Sequence, residues 1–213
     1  MNLIAYPKSY SLVSNGMELP VYFISDAHLM DQWSNGETDH QKHINRFLDH
    51  ILHTGGTLFI NGDLFDYYFE YKDVIPKGYF PIYNQLYNLK NSGIEIHYLL
   101  GNHDFWVMDF IKEHLTTQTY ENDVTLELKG KKFYISHGDG YLSWDHGYRL
   151  LKYIIHSRLF IWAYRWIHPN IGFKIASWIS KRGTHYGHSD EYNQRVLDEM
   201  TELAREKVRQ GFD

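Results

Sequence analysis

An α/β fold, with β sheets flanked by helices and a helical segment inserted, is what this 213-residue sequence predicts. Three observations lead to it. Short apolar runs alternate with amphipathic helical stretches from Pro20 to Leu100, the order expected of parallel strands covered by helices. A strand-turn-strand pattern follows between Val124 and Ser136. From Tyr141 to about Arg182 the chain turns helical, aromatic and basic. The length suits one domain with a subordinate lobe and is enough to bury a sizeable core.

Taken in order, residues 1–18 form an extension without an assigned role. Within it, Asn15-Gly16 is a good hairpin dipeptide, so Tyr10–Val13 is expected to pair with the strand that follows. Pro20-Val-Tyr-Phe-Ile-Ser25 is short and apolar, as a buried strand would be. Thr38 or Asp39 caps a helix whose apolar face is Ile44, Phe47, Leu48, Ile51 and Leu52, and Gly55-Gly56 stops it. Thr57–Asn61 is the second strand. A helix carrying Ile82, Leu86 and Leu89 ends near Asn91-Ser-Gly93, and Ile94–Leu100 is the third strand. Val124–Leu128 and Lys132–Ser136 form a hairpin around Lys129-Gly130-Lys131. A polar helix from Ser189 to Arg209 comes last. The expected division is a core at 19–140, an insert at 141–185 and a return helix at 186–213.

Composition excludes several classes of function. The formal charge is −5, so there is no chain-wide basic field to recruit nucleic acid, and a nucleic-acid partner is not expected. Cysteine is absent, which rules out disulfides and thiolate metal sites. The first residues lack a basic head followed by an apolar run, and no stretch of 18 apolar residues occurs, so neither a signal peptide nor a membrane span is expected. A cytoplasmic location follows by default. With 14 histidines and no thiols, any transition-metal site must use imidazole and carboxylate or amide oxygen, a donor set suited to manganese, iron or zinc.

Each apolar strand runs into a polar cluster. The first ends in Ser25-Asp26-Ala-His28 and the second in Asn61-Gly62-Asp63-Leu-Phe-Asp66. The third ends in Gly101-Asn102-His103-Asp104, and the second strand of the hairpin in Ser136-His137-Gly138-Asp139. Loops at the carboxyl ends of strands in an open α/β sheet converge on one crevice. Asp26, His28, Asp63, Asn102 and His137 would therefore meet. Asp63 has two oxygens with which to bridge two cations; Asp26 and His28 would complete one, Asn102 and His137 the other. Two divalent ions roughly 3.5–4 Å apart can clamp phosphate oxygens through an in-line displacement. Singly, each of these loops reads as an ordinary turn or a structural histidine. It is four of them in succession, each after an apolar strand, that carries the signal.

These phrases resemble the calcineurin-like metallophosphoesterase signature. Within it, Ser-Asp-Ala-His-Leu, Gly-Asp-Leu-Phe-Asp, Gly-Asn-His-Asp-Phe and Ser-His-Gly-Asp are similar to the bacterial UDP-2,3-diacylglucosamine pyrophosphohydrolases of lipid A synthesis, over about residues 20 to 213. The resemblance implies a calcineurin-like fold and a cofactor of two divalent metal ions, with Mn2+ the leading choice. It also implies that His103 is a catalytic group outside the metal ligands, stabilising developing charge or protonating the leaving group, with Asp66 orienting it. The substrate implied is a nucleotide-linked diacyl sugar, met at the cytoplasmic face of the inner membrane by a peripherally associated enzyme. The signature ends in a Gly-His-x-His loop. Gly187-His188-Ser-Asp190 matches it only superficially, so the sequence is expected to be C-terminally truncated and its metal site incomplete.

The insert carries seven basic side chains against Asp145 alone, a balance of +6 in a chain whose total is −5, and four of the six tryptophans. Aromatic bodies beside positive charge suit an acyl chain on an anionic head, or an anionic membrane surface. The resemblance implies a lid over the acyl chains; an ordinary amphipathic core is the plainer alternative. Arg158, Trp162 and Trp166 from the insert, with Asn102 and Asp139 from the strand ends, are expected to contact substrate. Two further readings stand beside the pyrophosphohydrolase: a phosphoesterase acting on another nucleotide or phospholipid, and a non-catalytic, membrane-associated binding protein.

Overall fold

The computed structural model describes residues 10–13, 17–30, 38–175 and 190–213. The strands are β1 (Tyr10–Val13), β2 (Val21–Ile24), β3 (Thr57–Asn61), β4 (Glu95–Leu99), β5 (Gln118–Tyr120), β6 (Val124–Leu128) and β7 (Lys131–Ile135). The helices are α1 (Asp39–Thr54), α2 (Phe80–Asn91), α3 (His146–Ile155), α4 (Arg158–Arg165) and α5 (Asp190–Arg209). A short π-helical turn spans Ile111–Leu115. The chain divides into two compact units, Met1–Glu70 with Ile75–His137, and Tyr71–Val74 with Gly138–Asp213.

In the first unit β2, β3, β4 and β5 form a four-stranded parallel sheet in that order. Alternation along β3 and β4 serves two cores. Leu58, Ile60, Ile96 and Tyr98 point to a cluster completed by Leu48 and Ile51 of α1 and by Ile82, Leu86 and Leu89 of α2. Phe59 and Leu99 point the other way, to Tyr120, Val124, Leu126 and Ile135. Helices thus cover one face of the parallel sheet, and the second sheet, β1-β6-β7, packs on the other. This is the predicted α/β architecture of sheets flanked by helices. Burial on both faces is why these strands read as continuous apolar runs.

Two expectations change. Tyr10–Val13 is a strand, but it pairs in parallel with β6, Tyr10 opposite Val124, and not with β2. The Asn15-Gly16 dipeptide on which the hairpin expectation rested lies outside the described residues. Strand β5 went unread, because Gln118-Thr-Tyr120 is three residues of mixed polarity with no period to detect. The other hairpin forms, with a shorter turn than expected: Lys131 belongs to β7, paired with Leu128, and the strand ends at Ile135. Lys129 and Gly130 both take positive φ, 51° and 76°, as a two-residue type I′ turn requires.

The start of α1 is tied down by side-chain hydrogen bonds. Thr38 caps it through a reciprocal pair: its hydroxyl accepts from the Gln41 backbone N–H, while the Gln41 side chain accepts from the Thr38 N–H at 2.7 Å. Gln41, 1% exposed, then donates through Nε2 to the Met30 carbonyl at 2.9 Å. His40 Nε2 donates to the Ala27 carbonyl at 2.8 Å. The first turn of α1 therefore holds the loop after β2.

In the second unit Ser157 caps α4, accepting from the Phe160 N–H. Tyr71 and Phe173 meet edge to face at 6.1 Å, and the Tyr164 hydroxyl donates to the Gly172 carbonyl. Trp144 lies under the Arg195 guanidinium of α5 at 4.5 Å and meets the Tyr192 ring edge-on. Among the described residues no helix is long and apolar enough to cross a membrane.

Candidate metal centre

Strands β2, β3 and β4 run parallel, so their carboxyl ends share one edge of the sheet. The loop after β2 lies against the loop after β3 through three backbone bonds: Asp26 N–H to Gly62, His28 N–H to Asp63 and Leu29 N–H to Leu64. Asp26, His28 and Asp63 take positive φ of 50°, 42° and 51°. Side chains rarely adopt that region, and each such residue costs on the order of 1–3 kcal/mol. Three strained residues in two adjoining loops mark a place where geometry has been set against stability.

His137 arrives from β7. The Asn61 side-chain amide donates to the Ser136 carbonyl at 3.1 Å, and His137 Nδ1 lies 3.1 Å from the Asn61 carbonyl. A carbonyl only accepts, so Nδ1 carries the hydrogen. Gly62 makes room for the ring: a Cβ there would lie 2.3 Å from His137 Nδ1, and its φ is +80°. Gly101 makes the same allowance for Asp63, whose Oδ1 would lie 2.1 Å from a Cβ.

With Nδ1 committed, His137 Nε2 faces Asp63 Oδ2 at 3.4 Å and Asn102 Oδ1 at 3.1 Å. All three atoms offer electron pairs unless Nε2 is protonated, so either a proton or a metal cation must lie among them. That donor set fits a divalent transition-metal ion. Among the described residues, two groups of side chains bring ligand atoms within 4.8 Å of one another: Asp26, Asp63 and His137, and His28, Asp63 and His103. Asp63 belongs to both.

Asp63 is 3% exposed. Burial alone would raise its carboxyl. The hydrogen bond and charge of His137, with the backbone N–H of His103 on Oδ1 at 2.9 Å, outweigh burial and hold it below the usual range. It therefore stays ionised.

The expected ligands thus all lie at this sheet edge, with Asn102 joined through His137. The grouping cuts across the expected division. Asp26 sits with His137, and His28 meets the His103 ring edge-on at 4.7 Å. The Asp66 backbone carbonyl accepts from His103 Nδ1, which leaves Nε2 as the atom that ring presents. Of the expected substrate contacts in the second unit, Asp139 is held by Lys152 at 2.6 Å and by the Tyr148 hydroxyl at 3.0 Å. Arg158, Trp162 and Trp166 are exposed on and just after α4. Gly187 and His188 lie outside the described residues.

Sequence reasoning gave Asp104 no role. It is fully buried, and its carboxylate accepts from the Leu64 and Gly101 N–H groups and from the Tyr98 hydroxyl. The signal was its place in Gly-Asn-His-Asp, beside two residues with assigned chemistry.

The calcineurin-like phosphoesterase family model matches residues 19–207. A protein of Porphyromonas gingivalis named UDP-2,3-diacylglucosamine hydrolase is 31% identical over 172 residues, which make up 80% of this chain and 66% of that protein. Proteins of the same name from Pectobacterium carotovorum and Nitrosococcus oceani are 27% and 30% identical, covering 88% and 62% of this chain. The chain spans 66%, 75% and 50% of the lengths of these three relatives. A solved structure of a protein of unknown function from Aquifex aeolicus matches at a TM-score of 0.36 and 23% identity, over 55% of this chain and 59% of that one. On the family match, which extends over most of its length, the chain belongs to the calcineurin-like phosphoesterases, a family of metal-dependent hydrolases.

Proposed function

We propose that this protein hydrolyses the pyrophosphate bond of UDP-2,3-diacylglucosamine, releasing UMP and 2,3-diacylglucosamine 1-phosphate, a step of lipid A synthesis. The observation that carries the reading is the meeting of Asp26, His28, Asp63 and His137 at one sheet edge in a chain whose relatives bear the name of that activity. Asp26, His28, Asp63, Asn102 and His137 would hold two divalent ions, Mn2+ foremost, with iron or zinc accepted by the same donors. Such ions activate water and neutralise phosphate charge when bound.

The chain's own residues do the rest. Asp63, held ionised and fixed by the His103 N–H, would be the group shared by both ions. His103, its Nδ1 hydrogen committed to Asp66, keeps Nε2 for the reaction, where in its protonated form it would donate to the departing phosphate. Asn102 contributes an amide oxygen to a ligand set and keeps two N–H donors for phosphate oxygen. In the second unit Trp162 is 60% and Trp166 77% exposed, their rings edge to face at 6.2 Å. That exposure favours contact with a partner over a role as core. Arg158 adds positive charge beside them. We assign this surface, with Asp139, to the acylated sugar, and place the enzyme peripherally on the cytoplasmic face of the inner membrane. The net charge of −5 argues against a polyanionic nucleic-acid substrate.

Hydrolysis of UDP-2,3-diacylglucosamine and of an acyl-free UDP-sugar, read as UMP release, and of a phospholipid, read as cleavage of its phosphate ester, each with Mn2+ and with chelator, tests the proposal. The diacylated nucleotide should be the preferred substrate, and chelation should abolish turnover. Preference for the phospholipid or the acyl-free sugar would reassign the substrate.

A further inference from the structure

We infer that Tyr98, a tyrosine in the core of β4, is a positioning residue for the metal centre, acting through Asp104. The inference rests on the proposed metal centre.

Tyr98 is 0% exposed and its ring belongs to the helix-side core cluster. Its hydroxyl does not end in apolar surroundings. It donates to Asp104 Oδ2, and the same carboxylate accepts the Leu64 N–H on Oδ2 at 2.8 Å and the Gly101 N–H on Oδ1 at 2.8 Å. One buried carboxylate therefore joins three places in the chain: strand β4, the loop after β3 and the loop after β4.

The two loops it joins carry the ligands. Leu64 follows Asp63 directly, and Gly101 precedes Asn102. The clamp is reciprocal, because Asp63 Oδ1 accepts from the His103 N–H at 2.9 Å while Asp104 accepts from Leu64 across the same gap. Asp63 also sits at a φ of 51°, a conformation its own side chain disfavours. Its place is fixed only if the residues on both sides are held. On the carboxyl side the Leu64 carbonyl accepts from the Leu29 N–H and its own N–H donates to Asp104, and the Tyr98 hydroxyl is the third donor that keeps Asp104 aimed there. Buried polar groups of this kind work as a set, since losing one donor leaves charge without compensation and loosens the rest. Groups that orient metal ligands in this indirect way typically change metal affinity by about 10- to 100-fold when removed.

The variant is Tyr98→Phe, which keeps the ring and deletes the hydroxyl. The control is Ile96→Val, two residues away on the same strand face and also 0% exposed, which loosens the core without touching Asp104. Two quantities are measured on each: Mn2+ affinity by competition with a chelator, and hydrogen exchange of the Leu64 and Gly101 amides in metal-free protein. Tyr98→Phe should weaken Mn2+ binding about 10-fold and speed exchange at both amides, while Ile96→Val does neither. Unchanged exchange in Tyr98→Phe overturns the brace. So does faster exchange with unchanged Mn2+ affinity, since the hydroxyl would then hold the loops without positioning the ligands. If the wild-type protein binds no Mn2+, the metal-centre reading fails, and with it the positioning role; the exchange data would then show whether the brace itself stands.

Discussion

The two units of this chain treat burial in opposite ways. In the first, large aromatic residues such as Tyr68, Tyr98 and Phe65 are 0% exposed, and charged residues are buried with them: Asp63, Glu70 and Asp104, each tied to backbone N–H groups. Glu70 accepts from the Met108 and Phe110 N–H groups, so even a carboxylate outside the metal centre fixes loop backbone. In the second unit, Tyr71 and Tyr164 are the buried hydrophobics among the described residues, while Tyr153, Leu159 and Trp166 are 77%, 74% and 77% exposed. One region uses its interior to hold charged groups at fixed distances. The other leaves large apolar side chains exposed among the described residues. On the proposed function, the first unit supplies the rigidity that chemistry needs and the second the accessible surface that an acyl chain needs.

The sharpest way to break that division is at Asp63. Asp63→Ala removes the carboxylate common to both ligand groups, and activity should fall to background in an assay of UMP release, with metal content lost in elemental analysis. Residual turnover above background would detach the first unit from the chemistry. The next largest effect is expected at His103. His103→Ala should lower kcat by about 100- to 10,000-fold while leaving metal content intact. Loss of an ion in that variant would make His103 a ligand, which its grouping with His28 and Asp63 makes worth measuring.

The comparison is sharpened by mutating aromatics in both units. Tyr68→Ala, at a fully buried site, should cost about 3–5 kcal/mol in denaturant unfolding. Trp162→Ala with Trp166→Ala should change stability by no more than about 0.5 kcal/mol per site, as exposed substitutions do. That pair should still lower kcat/KM on the diacylated substrate about 10-fold or more, and leave an acyl-free substrate nearly untouched. Equal losses on both substrates would return the tryptophans to a structural role.

The smallest effect is a pH dependence confined to the second unit. Burial, assisted by the Lys152 charge and opposed by that of Asp139, pushes the His156 imidazole down to about 4 from an ordinary value of 6.5. The unfolded chain then takes up a proton between those values that the folded chain refuses. His156 therefore lowers stability as pH falls from about 6.5 toward 4 and has no such effect above that window. His156→Gln should flatten the melting temperature by a few degrees across that range, read by thermal denaturation. An unchanged slope would mean that the imidazole is protonated in the folded chain.

How much of this was legible in the sequence depended on whether the signal was local. Strands β2, β3, β4, β6 and β7, α1 with its Thr38 cap and the Lys129-Gly130 turn were readable because period and capping chemistry sit within a few residues. So were the polar loops that meet at the sheet edge, each directly after an apolar strand. The partner of Tyr10–Val13 was not readable, because a parallel pairing with Val124 leaves no mark near residue 10. Nor was Tyr98, whose hydroxyl bond to Asp104 is invisible in a strand that otherwise reads as core. The grouping of His28 with His103 depends on backbone conformations, φ of 42° at His28, that no spacing rule supplies.

The central claim is that Asp63 joins two metal ions in one centre. Electron paramagnetic resonance of the Mn2+-loaded protein tests it most directly, because two Mn2+ ions sharing a carboxylate are magnetically coupled and isolated ions are not. The wild-type protein should give the spectrum of a coupled pair, and Asn102→Ala should shift it toward single-ion signals. A spectrum of isolated Mn2+ alone in the wild-type protein, at saturating metal, would contradict the account.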